Sequence, residues 1–374
     1  MLREKLHVRR DQFAGYFSGL SSVPSTFNGS NKNTTLSQIP QACKPSLWSA
    51  KTPCCEGNTS PGHSPAQSPQ PQIALPLPAS TRLRHMIQNS EKIIVCPGVY
   101  DGLSARIALS VGFSAMYMTG AGTTASRLGM ADLGIAQLHD MRTNAEMIAN
   151  LSPDGPPLIA DMDTGYGGPI IIARAVQQYI LAGVAGFHIE DQVLQKRCGH
   201  LSGKEVVSSD EFLLRIQAAK GAALRLRSDI VIIARTDALQ SRGYEECISR
   251  LRRARDAGAD MGILEGCVTK AQAAQAVQDL APWPLCLNSV ENGVSPVITA
   301  AEAQEMGYRV MIFSFAGLAP AYTAIKATFE WLKAEGVTGT ASDVTPKTIF
   351  RVCGLEEAME IDKVAGGSAF SKGV

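Results

Sequence analysis

"DIVIIARTD", residues 229–237, is an unbroken apolar run that stops abruptly at Arg235, Thr236 and Asp237. Apolar residues without alternation suit a strand buried on both faces, and such strands belong to parallel sheets covered by helices. Seven other runs share this texture. "KIIVCPG" starts at Lys92, "AMYMTG" at Ala115, "PLIADMD" at Pro157 and "GFHIED" at Gly186. "MGILEGC" starts at Met261, "PLCLNSV" at Pro284 and "RVMIFSF" at Arg309. Most stretches between them carry helical periodicity, as in "DEFLLRIQAAK" (210–220) and "YEECISRLRRARDA" (244–257). Gly112, Gly183, Gly258 and Gly307 stand where a helix would close before the next strand. Eight strand–helix repeats predict an α/β fold of the (β/α)8 TIM-barrel type. The alternative, a Rossmann-like open sheet, lacks support because no GxGxxG follows any of the runs.

Composition bounds the partners. The 374 residues carry a formal net charge of +1 and are 45% hydrophobic, enough for a large core. A near-neutral chain gives no reason to expect nucleic acid or an anionic membrane as partner. No apolar run approaches the ~20 residues that span a bilayer. The nine cysteines are irregularly spaced and include no CxxC pair, which predicts a reducing compartment without disulfides or a zinc site. The expected location is cytoplasmic. The basic start, "MLREKLHVRR", keeps a mitochondrial presequence as the alternative, against which Glu4 and Asp11 count.

Three segments are expected. Residues 1–80 are rich in Ser, Pro, Asn, Thr and Gln and are predicted to be a disordered extension. Residues 81–335 are the catalytic barrel. Residues 336–374 add helices and a tail. Helical sequence from about residue 318 onward exceeds what an eighth barrel helix needs. The surplus is expected to be exchanged with a neighbouring subunit in a homodimer or homotetramer.

A barrel carries its active site at the C-terminal ends of its strands. Those ends are polar here. Asp161 and Asp163 stand two apart, as if on one face of a strand, and Glu190 ends the next run. Like charges that close call for a hard cation, Mg²⁺ first and Mn²⁺ as the alternative. Arg235 is either a fork for a substrate carboxylate or a partner for the barrel's own acids. Between strands, "QKRCGH" (195–200) sets Cys198 among Lys196, Arg197 and His200, which predicts a depressed thiol pKa. Gly199 would let this loop close over the site, and Cys198 would act as nucleophile or as acid/base.

These residues together resemble the isocitrate lyase and phosphoenolpyruvate mutase superfamily over roughly residues 85–335. The ordered set is Thr119, Gly120 and Ala121, "LGMADLG" from Leu128, "ADMDTGYG" from Ala160, "HIEDQ" from His188, "KRCGH" from Lys196, "IARTDA" from Ile233 and "NSVENG" from Asn288. The resemblance implies that Asp161, Asp163 and Glu190 hold Mg²⁺ directly or through water, with Asp132 nearby. It implies substrate contacts from Thr119, Gly120, Ala121, Gly199, Glu265 and Asn288, and catalytic roles for Cys198, His200 and Arg235. Members that cleave carbon–carbon bonds are similar in carrying Cys-Gly-His here, whereas mutases generally lack the cysteine. A small di- or tricarboxylate is therefore the expected substrate, with the cysteine moving a proton. Ser289 stands where methylisocitrate lyases have a methionine, and is expected to bond a hydrated ketone. Hydrolysis of oxaloacetate to oxalate and acetate is the expected reaction. The alternative is a lyase releasing pyruvate from 2,3-dimethylmalate or 2-methylisocitrate. A phosphonate-forming mutase stands furthest off.

Overall fold

The structure, a computed structural model, describes residues 77–373. Cys43, Cys54, Cys55 and nearly all of the predicted N-terminal extension lie outside the described residues. The eight apolar runs form eight strands: β1 (Ile94–Val99), β2 (Met116–Met118), β3 (Leu158–Asp161), β4 (Gly186–Glu190), β5 (Val231–Thr236), β6 (Met261–Leu264), β7 (Cys286–Asn288) and β8 (Val310–Phe313). All pair in parallel, in the order β6-β5-β4-β3-β2-β1-β8-β7. A single parallel bridge, Gly262 to Leu285, joins the two ends, so the sheet is a nearly closed barrel. Helices Pro169–Leu181, Ser209–Arg225, Tyr244–Asp256 and Lys270–Leu280 follow β3 to β6 in turn.

Strand alternation sorts the core into two clusters. Ile94, Cys96, Tyr117, Ile159, Val231, Ile233, Met261, Ile263, Cys286, Val310 and Ile312 point inward and pack together. Their strand neighbours, such as Met118, Ala160, Phe187, Ile232 and Met311, point outward against the helices. Helix Ala79–Asn89 closes the N-terminal mouth. It begins two residues inside the predicted extension and sends Leu83 and Ile87 into the inner cluster. Leu83 is wholly buried. Leu83→Ala is expected to lower stability by ~2–5 kcal/mol in urea unfolding. A loss below about 1 kcal/mol would place the plug outside the cooperative core.

The inward parity continues past the strand ends. The next inward positions are Thr119, Asp161, Glu190, Arg235, Glu265, Asn288 and Ser314, all polar, so one layer of side chains changes from core to chemistry. Helices Leu318–Glu335, Pro346–Val352 and Leu355–Val364 bury no residue within this chain. No helix among the described residues is long and apolar enough to cross a membrane.

Candidate active site

The polar layer lines a space of about 20 Å³ at the C-terminal mouth, room for little more than a water. Cys198, Gly199 and His200, in the loop that forms its roof, line it from above.

Four acids gather on one side. Asp161 ends β3; its Oδ1 accepts from the Asp163 N–H (2.9 Å) and its Oδ2 from the Gly120 N–H (3.2 Å). A Cβ on residue 120 would come within 2.4 Å of that Oδ2, so the close approach requires glycine. Burial pushes the Asp161 pKa up, but His188, Lys196 and Arg235 outweigh it and leave it below the usual value. Asp163 is not on the strand, contrary to the even-spacing expectation. It lies in the following turn at φ 45°, a left-handed conformation that aspartate tolerates better than most residues. Burial raises its pKa to about 7 even with Lys196 Nζ 2.5 Å from its Oδ1. Glu190 is fully buried and its pKa is well above the usual range, again by burial first. Its Oε1 accepts from Gln192 (2.9 Å), whereas Oε2 accepts no hydrogen bond and has only Arg235 Nη1 beside it at 3.3 Å. Asp132 meets Lys196 Nζ at 2.6 Å.

This is a cluster of buried carboxylates with oxygen donors only, and two of the oxygens, Asp163 Oδ1 and Glu190 Oε2, accept no hydrogen bond. Such a set fits a hard divalent cation. Among the described residues, no three His, Cys, Asp or Glu side chains form a ready ligand cluster. An ion held here would therefore complete its shell with water or substrate oxygens, as Mg²⁺ commonly does.

Cys198 departs from expectation. The loop that carries it is not a patch of free cations. Lys196 is buried on Asp132 and Asp163, Arg197 Nη1 donates to the Ser202 carbonyl at 3.2 Å, and His200 Nε2 lies 3.1 Å from Glu265 Oε1. Burial therefore dominates and pushes the Cys198 thiol up; a bond from the His200 N–H only partly offsets it. The predicted thiolate is overturned. A neutral thiol suits a proton donor better than a nucleophile.

Arg235 partners the barrel's own acids. Its Nε and Nη2 donate to Asp237 at 2.8 and 3.1 Å, and Nη1 lies 3.3 Å from Glu190. The guanidinium is thereby fixed on one edge while it lines the space at the mouth. Gly199 packs on it: a Cβ there would lie 2.5 Å from Arg235 Nη2, so this glycine serves close approach as well as loop freedom.

On the opposite side a chain of fixed polarity runs from Glu265. Asn288 Nδ2 donates to both Glu265 oxygens at 3.1 Å, so its Oδ1 faces away and accepts from Ser314 Oγ at 2.6 Å. Arg235 and His200 keep Glu265 ionised against its burial. Ser289 does not join this chain. It follows inward Asn288, so its side chain points outward, into a separate recess with Leu264, Cys267 and Ile298. Ser314, not Ser289, lines the space at the mouth. Ala121 lines the same space, while the Thr119 hydroxyl accepts from the Gly122 N–H at 3.3 Å and caps helix Gly120–Thr123.

Tyr117 and His188 were not singled out by sequence. They form the floor, with Tyr117 Oη 2.8 Å from His188 Nε2. Their signal was present in the inward parity of β2 and β4, one layer below the polar ring.

Known proteins extend this picture. The family model described as phosphoenolpyruvate phosphomutase matches residues 83–333. A solved oxaloacetate acetylhydrolase in complex with 3,3-difluorooxalacetate is 67% identical, covering 78% of this chain and 99% of that one, with a TM-score of 0.78. A solved 2,3-dimethylmalate lyase is 59% identical, covering 80% and 99%, also with a TM-score of 0.78. The 2,3-dimethylmalate lyase of Eubacterium barkeri is 34% identical over 285 residues, 76% of this chain and 96% of its own. With the barrel, the acid cluster and the cysteine lid, these likenesses establish that the chain belongs to the phosphoenolpyruvate mutase/isocitrate lyase superfamily and is one of its carbon–carbon bond-cleaving enzymes.

Proposed function

We propose that this enzyme hydrolyses oxaloacetate to oxalate and acetate. Ser314 carries the reading. Because its hydroxyl donates to Asn288, its oxygen is left to accept a hydrogen bond from the substrate. The hydrate of a ketone offers two hydroxyls on the carbon next to the cleaved bond. A 2-alkylmalate offers one hydroxyl and an alkyl group there, which gains nothing from a buried polar acceptor. The 67% likeness to an oxaloacetate acetylhydrolase, against 59% to a dimethylmalate lyase, leans the same way.

Asp161, Asp163, Glu190 and Asp132 would hold Mg²⁺, with Mn²⁺ as a substitute. When bound, the ion would bind the 2-oxo acid end and stabilise charge developing there. Arg235, oriented by Asp237, would face a substrate carboxylate. As the bond between the hydrated carbon and its methylene neighbour breaks, one hydrate hydroxyl would lose its proton and become the new carboxyl of oxalate, the electron pair would pass to the methylene, and the released proton would restore the thiol that Cys198 spends. Cys198 would deliver its proton to that carbon, giving acetate. His200, held by Glu265, would keep the cysteine loop closed.

Ser314→Ala is expected to cost on the order of 1–3 kcal/mol in kcat/KM for oxaloacetate. Ser289→Ala should change it by less than about 0.5 kcal/mol, as a residue facing away from the site. Steady-state kinetics of the two variants decide the matter. Equal losses, or a larger loss at Ser289, would return the role to Ser289.

Assembly is part of the proposal. Helix Leu318–Glu335 presents Tyr322, Ile325 and Phe329, 65%, 52% and 65% exposed, beside Leu103, Ile107 and Val111 across an apolar groove. A second copy of this chain, packing its C-terminal helices there, would cover both faces as a homodimer or homotetramer.

A further inference from the structure

We propose that Lys204 is the latch of the 196–204 roof, and that it positions two site groups at once: the Gly199–His200 peptide beside Cys198, and the guanidinium of Arg235. The proposal rests on the reading of Cys198 and Arg235 as site residues, and it adds a residue that touches no substrate. Lys204 follows the cysteine motif and is the far end of the loop. Its side chain is 3% exposed. Nζ donates to the Gly199 carbonyl at 2.7 Å and to Asp237 Oδ1 at 3.0 Å.

Each contact leads on to the site. The Gly199 carbonyl belongs to the peptide whose other end is the His200 N–H, two residues from Cys198, and all three residues line the space at the mouth. A peptide unit is planar, so gripping the carbonyl fixes where that N–H points. Asp237 is the carboxylate that takes Arg235 Nε and Nη2. One ammonium thus ties the roof to the group that orients Arg235.

The two sides of the latch differ in firmness. Asp237 is the fixed side. Its N–H donates to Asp191 Oδ1 at 2.8 Å, and Asp191 in turn accepts from Thr236 (2.6 Å) and Arg250 (3.1 Å). The roof is the moving side. Its ends are pinned by the antiparallel Gln192–Val206 bridge and the Val193 N–H to Glu205 carbonyl bond (3.0 Å), so only the short segment between them swings. Lys196 holds the first half of that segment on Asp132 and Asp163; Lys204 holds the second half. The plainer account is a buried ion pair that only stabilises the fold. The two accounts differ in what they predict for Cys198 when Lys204 is changed in a folded protein.

The test labels the full-length protein with iodoacetamide, without substrate, and follows each cysteine peptide by mass spectrometry. Cys353, exposed on the single chain, is the internal reference, its wild-type rate being measured first at the same protein concentration. In Lys204→Met, Cys198 should react roughly tenfold faster or more, since two charge-assisted hydrogen bonds no longer hold the roof, while Cys353 keeps its wild-type rate. Catalysis should show a fall in kcat together with a rise in KM, the pattern of impaired closure. Lys204→Arg, which keeps the charge in a different shape, should fall between. If Lys204→Met does not fold, Lys204→Gln carries the test, with the same direction and a smaller effect. A folded Lys204→Met or Lys204→Gln in which Cys198 reacts at the wild-type rate overturns the latch. So does equal acceleration of Cys198 and Cys353, which marks general loosening. Labelling needs no substrate, so an error about oxaloacetate would leave its outcome unchanged.

Discussion

Cys198→Ser is expected to lower kcat by roughly 10²–10⁴-fold, the range for loss of a positioned acid, while substrate binding persists. Serine keeps the shape and the loop's backbone bonds, including the Cys198 N–H to the Asp132 carbonyl at 3.0 Å. What changes is acidity, because a hydroxyl releases its proton far less readily than a thiol. The native thiol is itself raised, by burial first. It is therefore protonated across neutral pH, as a donor must be. Activity should be lost as pH rises through that raised pKa, above the ordinary thiol range, and the variant should lack this basic limb. Oxalate binding by calorimetry and single-turnover rates separate the two effects. Unchanged kcat in Cys198→Ser would remove the cysteine from the mechanism.

Asp163→Asn should abolish metal-dependent turnover, and it should do so without loss of stability. Asp163 holds a buried carboxylate in a site already charged by Asp132 and Asp161, and its pKa is lifted to about 7 by burial and those neighbours despite Lys196. Neutralising it relieves that repulsion, so the metal-free melting temperature should hold or rise. Asp161→Ala should also abolish turnover but should cost stability, on the order of 1–3 kcal/mol, because it strips acceptors from the Gly120 and Asp163 N–H groups. Melting curves with and without Mg²⁺, beside turnover over a Mg²⁺ series, check both. Full activity of the wild type in EDTA would sink the metal assignment.

The barrel was legible because burial on both faces leaves no alternation to misread: each apolar run became one strand, and period two carried the reading upward to Arg235 and Glu265. The same rule, applied one step further, turns Ser289 outward and Ser314 inward, into the space at the mouth. Asp163 shows the opposite limit. Even spacing from Asp161 implied a shared strand face, but β3 ends at Asp161 and a left-handed turn sets the next direction. Cys198 departs from its sequence reading for an electrostatic reason. Cations adjacent in sequence look free, whereas Lys196 and His200 are each committed to an acid on another strand's loop or end. Lys204 gave no sequence signal, because its meaning depends on Asp237 and Gly199 meeting in space.

The most direct test of the substrate assignment is product analysis. Purified full-length enzyme with Mg²⁺ is given oxaloacetate or 2,3-dimethylmalate, and oxalate, acetate and pyruvate are quantified by chromatography. The account predicts oxalate and acetate in equal amounts from oxaloacetate, with little pyruvate from dimethylmalate. Pyruvate released readily from dimethylmalate, with no oxalate from oxaloacetate, would contradict it and make the enzyme a lyase.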